Sequence, residues 1–342
     1  MTRNQPTYLL EDVSHFYGDK KVLDIDHLEI PKGSITGLMG PNGSGKTTLL
    51  KILAFAMRPA AGSICFNGRP EYPFSPGIRS RVTMVTQKPY LLKRSVLENI
   101  AYGLKIRRDV KNMTKRIQIA MNSVGLDYEE FSFRPWHELS GGEAQRVALA
   151  ARLVLKPDVL LLDEPVASVD AQSAALIRQA SLAARENWGT TLVIASHDLA
   201  WLFDCSDTQI SISNGTLFST GMEIILPGPY ASVHGQGLTT SLDDGQDIVL
   251  PPMTASGKTA VIQRENIHLA TGPTKDNGYD NQMNGQILSM QMTGRHQQIM
   301  TTITVSQMRF MLALDPQYSS SFHLQPGKEV CLMFRSQDIL WR

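Results

Sequence analysis

The sequence predicts an α/β protein with a mainly parallel sheet covered on both faces, followed by a smaller all-β module. Three observations carry that prediction. Short apolar strand candidates alternate with helical runs up to about residue 221. A glycine-rich turn sits between one such strand and its helix. Beyond about residue 257, short strand-like segments separated by turn residues take over. A chain of 342 residues also exceeds what one hydrophobic core usually serves, so two domains are expected.

Taken in order, YLLEDVSHFY and VLDIDHLEI alternate around a Gly-Asp turn and read as an antiparallel edge hairpin. SITGLM (34–39) is a compact strand leading through the glycine-rich turn into the helical stretch KTTLLKILAFAM. RVTMVT (81–86) is a further strand candidate. SVLENIAYGLKI and VKNMTKRIQIAMNSVGL read as helices of an inserted subdomain over about 88–138. LSGGEAQRVALAARL (139–153) is helical but opens on two glycines, which are poor helix formers. DVLLLD (158–163) is apolar without alternation, the pattern of a strand buried on both faces. The helical run DAQSAALIRQASLAARENW then precedes the strand TTLVIAS (190–196). PGPYASVHGQGLTTSLDDGQDIVLPPM is rich in Gly, Pro, Ser and Asp. It places a first domain at 1–226, a linker at 227–257 and the β module at 258–342. AVIQRENIHLA, NGQILSMQM, QQIMTTITV and GKEVCLMFRSQDILW supply the strands of that module.

Composition excludes several classes. The formal net charge of +1 gives no bulk electrostatic affinity for nucleic acid or anionic lipid. Cys65, Cys205 and Cys331 fit no metal spacing and read as reduced, buried thiols of a cytoplasmic protein. The N-terminal stretch lacks the apolar core of a signal peptide, and no run approaches eighteen uncharged apolar residues. Any membrane-spanning part is therefore expected from another chain.

The chemistry starts at GPNGSGKTT (40–48), which fits G-x-x-x-x-G-K-[ST] between a strand and a helix. Gly40, Gly43 and Gly45, with Pro41, Asn42 and Ser44 between them, let successive backbone N–H groups turn inward onto phosphate oxygens. The helix beginning near Lys46 adds the positive end of its dipole. Lys46 can reach the β- and γ-phosphates, while Thr47, next to Thr48, offers a hydroxyl to Mg²⁺. VLLLDEP (159–165) supplies Asp163 to hold Mg²⁺ and Glu164 to polarise an attacking water. Together these predict a P-loop NTPase hydrolysing a nucleoside triphosphate. An Asn/Thr-Lys-x-Asp guanine motif is missing, which argues against a GTPase.

With LSGGEAQR added, about the first 220 residues closely resemble the nucleotide-binding subunit of ABC transporters. Further landmarks of that family follow in order. Tyr17 sits at the position of the adenine-stacking aromatic, and Gln87 at the glutamine that reaches Mg²⁺ and the water. ASVD (167–170) resembles the D-loop and places Asp170 there; His197 in SHD is at the switch histidine. The resemblance implies ATP and Mg²⁺ as ligands and a head-to-tail homodimer. In such a dimer Ser140, Gly141, Gly142 and Asp170 complete the site held by the other subunit, the bare helix start clearing room for a γ-phosphate. It also implies Glu164, His197, Gln87 and Lys46 in hydrolysis, and a membrane permease seated on the helical subdomain at the cytoplasmic face.

The tail resembles, more loosely, the TOBE or MOP-like modules that follow the ATPase in importers of oxyanions, sugars, polyamines and iron. AVIQRENIHLA lacks the proline usual there. ENIAYGLKIR and the stretch from LSGGEAQR to LLLDEP look most like tungstate or molybdate importer ATPases, which would add a periplasmic or extracellular binding protein. Lys258, Thr259, Ser289, Arg295 and His296 are candidate anion donors in the tail. A soluble ABC-type ATPase outside transport would carry a coiled-coil insertion or a second cassette, and this sequence has neither.

Overall fold

The computed structural model describes residues 5–219, 223–233, 237–253, 259–272, 278–293, 297–306 and 308–341. The chain forms two units, Met1–Gly221 and Met222–Arg342.

In the first unit, β1 (Tyr8–Tyr17) and β2 (Lys20–Ile30) form the antiparallel hairpin that their alternation predicts. β3 (Ile35–Met39) leads into α1 (Lys46–Leu53), and β4 (Ala61–Phe66) with the short β5 (Arg69–Pro70) extends the hairpin edge. After α2 (Pro76–Arg79) and β6 (Val82–Val85) the helical segment begins, with α3 (Val96–Ile106), α4 (Met113–Ser123) and α5 (Tyr128–Phe131). α6 (Gly141–Leu153), β7 (Val159–Asp163), α7 (Ala171–Trp188), β8 (Thr191–Ala195) and α8 (Leu199–Cys205) restore the α/β alternation. β9 (Thr208–Ser213) and β10 (Thr216–Ser219) close the unit as a hairpin around Asn214-Gly215.

The ten strands form one sheet in the order β5-β4-β1-β2-β10-β9-β3-β8-β7-β6. β3, β6, β7, β8 and β9 are mutually parallel. Every residue of β3, β7 and β8 is buried, which is why these strands read as unbroken apolar runs. Tyr8, Phe55 and Phe66 pack ring to ring beneath α1, and the Tyr8 hydroxyl donates to Leu53 O at 2.9 Å.

The second unit is built from antiparallel strands with short helical turns. β11 (Glu223–Leu226), β12 (Ala231–Val233), β13 (Gly237–Ser241) and β14 (Asp247–Leu250) precede β15 (Ala260–Gln263) and β16 (His268–Ala270). β17 (Asn281–Met292), β18 (Ile299–Val305), β19 (Met308–Leu314), α9 (Pro316–Ser321), β20 (Glu329–Phe334) and β21 (Ile339–Trp341) follow. They form three sheets, β11-β15-β21, β12-β13-β14 and β16-β20-β17-β18-β19, around a core that includes Leu226, Ile248, Met283, Phe310 and Phe334.

Two boundaries differ from the sequence expectation. The stretch 227–257 is not a bare linker, because it carries β12, β13 and β14. Its turn-rich composition reflects short strands, held to the rest of the unit by a buried Asn281 that accepts from Val249 N at 2.7 Å and donates to Val249 O at 3.0 Å. Residues 223–226, counted with the first domain by composition, instead pair with β15 in the second unit.

Candidate functional site

The glycine-rich turn is shaped by its neighbours as much as by its own sequence. Gly40 (φ 147°) and Gly45 (φ 113°) adopt backbone conformations that side chains rarely enter, and a Cβ on them would lie 2.2 Å from Ile212 O and 2.7 Å from Val22 O. The hairpin of β9 and β10 presses on the loop from outside, with Gly215 N donating to Ser44 O at 3.1 Å. Lys46 is buried and donates from Nζ to Gly40 O at 2.6 Å and Pro41 O at 3.0 Å, so its ammonium sits inside the loop. Burial holds it below the ordinary lysine range, and the carboxylates of Glu164 and then Asp163 pull it back. Ser44 Oγ is buried with no hydrogen-bond partner, a polar atom aimed at something other than protein.

β7 delivers the carboxylates. Thr47 Oγ1 donates to Asp163 Oδ2 at 2.9 Å, joining the start of α1 to the end of β7. Burial pushes the Asp163 carboxyl up, opposed by the Thr47 hydrogen bond and by Lys46. A hydroxyl and a buried carboxylate this close form a hard oxygen pair suited to Mg²⁺. Glu164 is buried with φ 47°, an uncommon conformation for a side-chain-bearing residue, and is pinned by its N–H to Ala195 O at 2.9 Å. Its Oε2 accepts from His197 N at 3.1 Å, and its Oε1 lies 3.2 Å from His197 Nε2. The same ring nitrogen is 2.9 Å from Asn42 Oδ1. Asp198 holds the histidine loop from below: Oδ1 caps α8 at Trp201 N, 3.0 Å, and Oδ2 pairs with Arg178 of α7.

The other sequence candidates occupy the surroundings. Gln87 is exposed just past β6, at the same end of the sheet as Asp163, and its loop is held by Gln145 of α6, which donates to Thr86 O at 3.2 Å. Tyr17 is half exposed; its hydroxyl meets Met57 Sδ at 3.7 Å and its ring meets His15 edge-on at 5.2 Å. Thr48 is buried behind the loop.

Ser140, Gly141, Gly142 and Asp170 form a second group. Ser140 Oγ accepts from Glu143 N at 3.2 Å while Glu143 Oε2 accepts from Ser140 N at 2.8 Å, a capping box that leaves the hydroxyl proton to donate elsewhere. The sequence reading assigned both glycines to clearance for a phosphate. Gly141 fits, being exposed with nothing closer than Ser168 O at 3.9 Å from its Cβ position. Gly142 has a different cause: a Cβ would lie 2.5 Å from Ser173 Oγ and 2.7 Å from Asp170 Oδ2 of its own chain. Asp170 caps α7, accepting from Ser173 N at 2.8 Å, which holds its carboxyl below the usual range. The Ser-x-x-Glu spacing of 140–143, the Gln145 contact and the Asn42–His197 contact were missed in the sequence; of these, only the first has a local sequence signal.

Comparison with known proteins decides the family. The chain is 40% identical over 200 residues to the tungstate uptake system ATP-binding protein TupC of Peptoclostridium acidaminophilum, covering 58% of this chain and 91% of that protein. This chain belongs to the ABC transporter family. The family profile described as ABC transporter matches residues 23–167. Spermidine/putrescine import ATP-binding proteins PotA are 37% identical in Bacteroides thetaiotaomicron, over 62% of this chain and 46% of that protein, and 35% identical in Mesoplasma florum, over 75% and 74%. The chain thus spans less than half the length of the Bacteroides relative. Among solved structures, cbiO1 of Clostridium perfringens, part of the ABC transporter complex cbiONQ, aligns with TM-score 0.56 and 28% identity, over 64% of this chain and 88% of that one. The ATP-binding cassette MJ0796, solved as a dimer bound to ADP and Pi, aligns with TM-score 0.57 and 26% identity, over 62% and 98%. The chain is an ABC-type ATPase, and the P-loop fold of its first unit is the fold of these cassettes. Among the described residues no helix is long and apolar enough to cross a membrane.

Proposed function

We propose that this chain is the ATP-hydrolysing subunit of an importer for an oxyanion such as tungstate or molybdate. It works as a head-to-tail homodimer under a separate permease, at the cytoplasmic face of the membrane, with an external substrate-binding protein. The observation that carries the solute is the 40% identity to a tungstate uptake ATP-binding protein across nearly all of that protein's length.

In this reading backbone N–H groups of the loop from Asn42 to Thr48 and the Lys46 ammonium bind the β- and γ-phosphates, and Tyr17 stacks on the adenine. Thr47 and Asp163, with Gln87 nearby, hold Mg²⁺, which neutralises charge on the transferring phosphoryl group when bound. Glu164 accepts a proton from the attacking water, its carboxylate aimed by the His197 N–H and by its own constrained backbone. His197 donates from its ring to the γ-phosphate. Ser140, Gly141, Gly142 and Asp170 of one subunit reach the nucleotide held by the other, Gly142 through its backbone N–H. Glu164→Gln keeps the shape and the His197 contact but removes the base. ATP binding should persist while turnover drops at least about a hundredfold; hydrolysis at the parent rate would refute the assignment.

One observation favours a second solute. The tungstate relative is matched over 200 residues, 58% of this chain. The Mesoplasma polyamine relative aligns over 75% of this chain, which reaches into the second unit. A TOBE-like role for that unit, supporting or regulating the ATPase, fits its antiparallel sheets. Among the candidate anion donors, Thr259 adjoins β15 and Ser289 lies in β17 of another sheet, while Lys258, Arg295 and His296 lie outside the described residues. Co-purification with the permease, followed by ATPase assays with tungstate, molybdate and spermidine on the loaded binding protein, separates the readings. Stimulation by spermidine alone would overturn the oxyanion proposal.

A further inference from the structure

We propose that His15 is a positioning residue for nucleotide binding: its ring meets the Tyr17 ring edge-on and presets it to stack on a base. The inference rests on the assignment of Tyr17 as the aromatic that stacks on adenine. The two side chains lie on one face of β1, two residues apart, with ring centroids 5.2 Å apart and planes at 85°. That is an edge-to-face arrangement, one of the two that aromatic rings prefer. The contact takes at most one face of the Tyr17 ring and leaves the other for a base. His15 and the nucleotide therefore do not compete for one surface, and the contact can persist in the bound state.

Tyr17 needs such a support. It is the last residue of β1, half exposed, and its hydroxyl meets only the soft Met57 Sδ at 3.7 Å. Regular pairing of β1 with β2 stops at His15: His15 faces Leu23 but Phe16 faces Lys21, which leaves Val22 as a bulge. The Val22 carbonyl and the Leu23 side chain lie 2.7 and 2.8 Å from a Cβ placed on Gly45. His15 is thus held across the hairpin from the residue that backs the phosphate loop, and through it the Tyr17 ring is aligned to that loop. Nδ1 of His15 is buried and makes no hydrogen bond, so packing rather than a polar bond at that atom sets the ring. Without the imidazole the Tyr17 side chain gains rotamer freedom, which the nucleotide must remove on binding.

The test uses the full chain as His15→Ala, His15→Phe, Tyr17→Ala and the double variant of His15→Ala with Tyr17→Ala. His15→Ala should raise the KM for ATP, and the Kd of a non-hydrolysable ATP analogue, about 2- to 10-fold, the scale of one aromatic pair. Its kcat at saturating ATP should stay within about twofold of the parent. His15→Phe keeps a ring edge and should bind the analogue within about twofold of the parent. In the Tyr17→Ala background His15→Ala should weaken binding no further, whereas a role confined to packing the hairpin would still show there. His15→Thr, a strand former without a ring, replaces the alanine variant if that chain fails to fold. An unchanged affinity, a loss that persists without Tyr17, a fall in kcat in place of affinity, or a His15→Phe chain as weak as His15→Ala overturns the inference. If Tyr17→Ala binds the analogue like the parent, the stacking assignment itself fails; if Tyr17→Ala is weakened while His15→Ala is not, only the His15 role fails.

Discussion

Gly142→Ala separates what a glycine does for its own chain from what it does for a ligand. The added methyl meets Ser173 Oγ at 2.5 Å, Asp170 Oδ2 at 2.7 Å and Ser173 Cβ at 3.0 Å, and Ser173 is buried and cannot swing into solvent. Overpacking of this kind costs about 1–3 kcal/mol. Displacing Asp170 from Ser173 N weakens the α7 cap by about a further 1 kcal/mol, offset by a similar gain in helix propensity. At roughly 2–4 °C per kcal/mol for a unit of this size, the melting temperature of the first unit should fall by about 2–12 °C without any nucleotide. Gly141→Ala is the control: its methyl meets only Ser168 O, at 3.9 Å, so stability should hold while ATPase activity falls. Differential scanning calorimetry of the full chain measures both. Adding Ser173→Ala to Gly142→Ala should recover part of the loss. A Gly142→Ala chain that melts with the parent would refute the intrachain account.

Ser140→Arg should leave nucleotide binding to a single chain nearly unchanged and abolish ATPase activity, measured by titration with an ATP analogue and by phosphate release; surviving activity would remove the role in trans. Asn281→Ala should destabilise the second unit by about 2–3 kcal/mol, because it strands both polar groups of Val249, and should leave the melting of the first unit in place. Tyr8→Phe should cost about 1 kcal/mol at neutral pH by losing the bond to Leu53 O. Burial raises the Tyr8 pKa well above its ordinary value of 10.0, so above that pH the unfolded chain releases the proton while the folded chain keeps it. The stability that Tyr8 contributes is therefore lost as pH rises past 10.0, and the parent's advantage over Tyr8→Phe in urea unfolding should shrink there.

The parts of the fold and site that were legible in the sequence are those whose cause is local. DVLLLD announced a doubly buried strand by its lack of alternation, and GPNGSGKTT announced a phosphate loop because its glycines and lysine act through their own backbone. The hairpin of β9 and β10 went unread although TQISIS-NG-TLFS carries an Asn-Gly turn between alternating strands. GLTTS-LDDGQ-DIVL holds a similar signal around Asp-Gly, masked by flanking prolines and glycines and by strands too short to bury a face of their own. Other features have no local signature. That Gly142 is required by Ser173, or that Asn42 meets His197, follows only from how distant segments pack.

The placement of β3 bears on how the protein is made. This strand ends at Met39, directly before the phosphate loop, and both its partners in the sheet, β8 and β9, lie more than 150 residues later in the chain. The wall against which Gly40 rests is Ile212, and the amide that steadies Ser44 belongs to Gly215. A growing polypeptide therefore carries its phosphate-binding segment backed only by β2, at Val22, through most of the synthesis of the first unit. The remaining backing of the loop becomes available only when residues 208–216 emerge, so the stabilisation that bound ATP adds is expected late in synthesis, as a clamp rather than an early template.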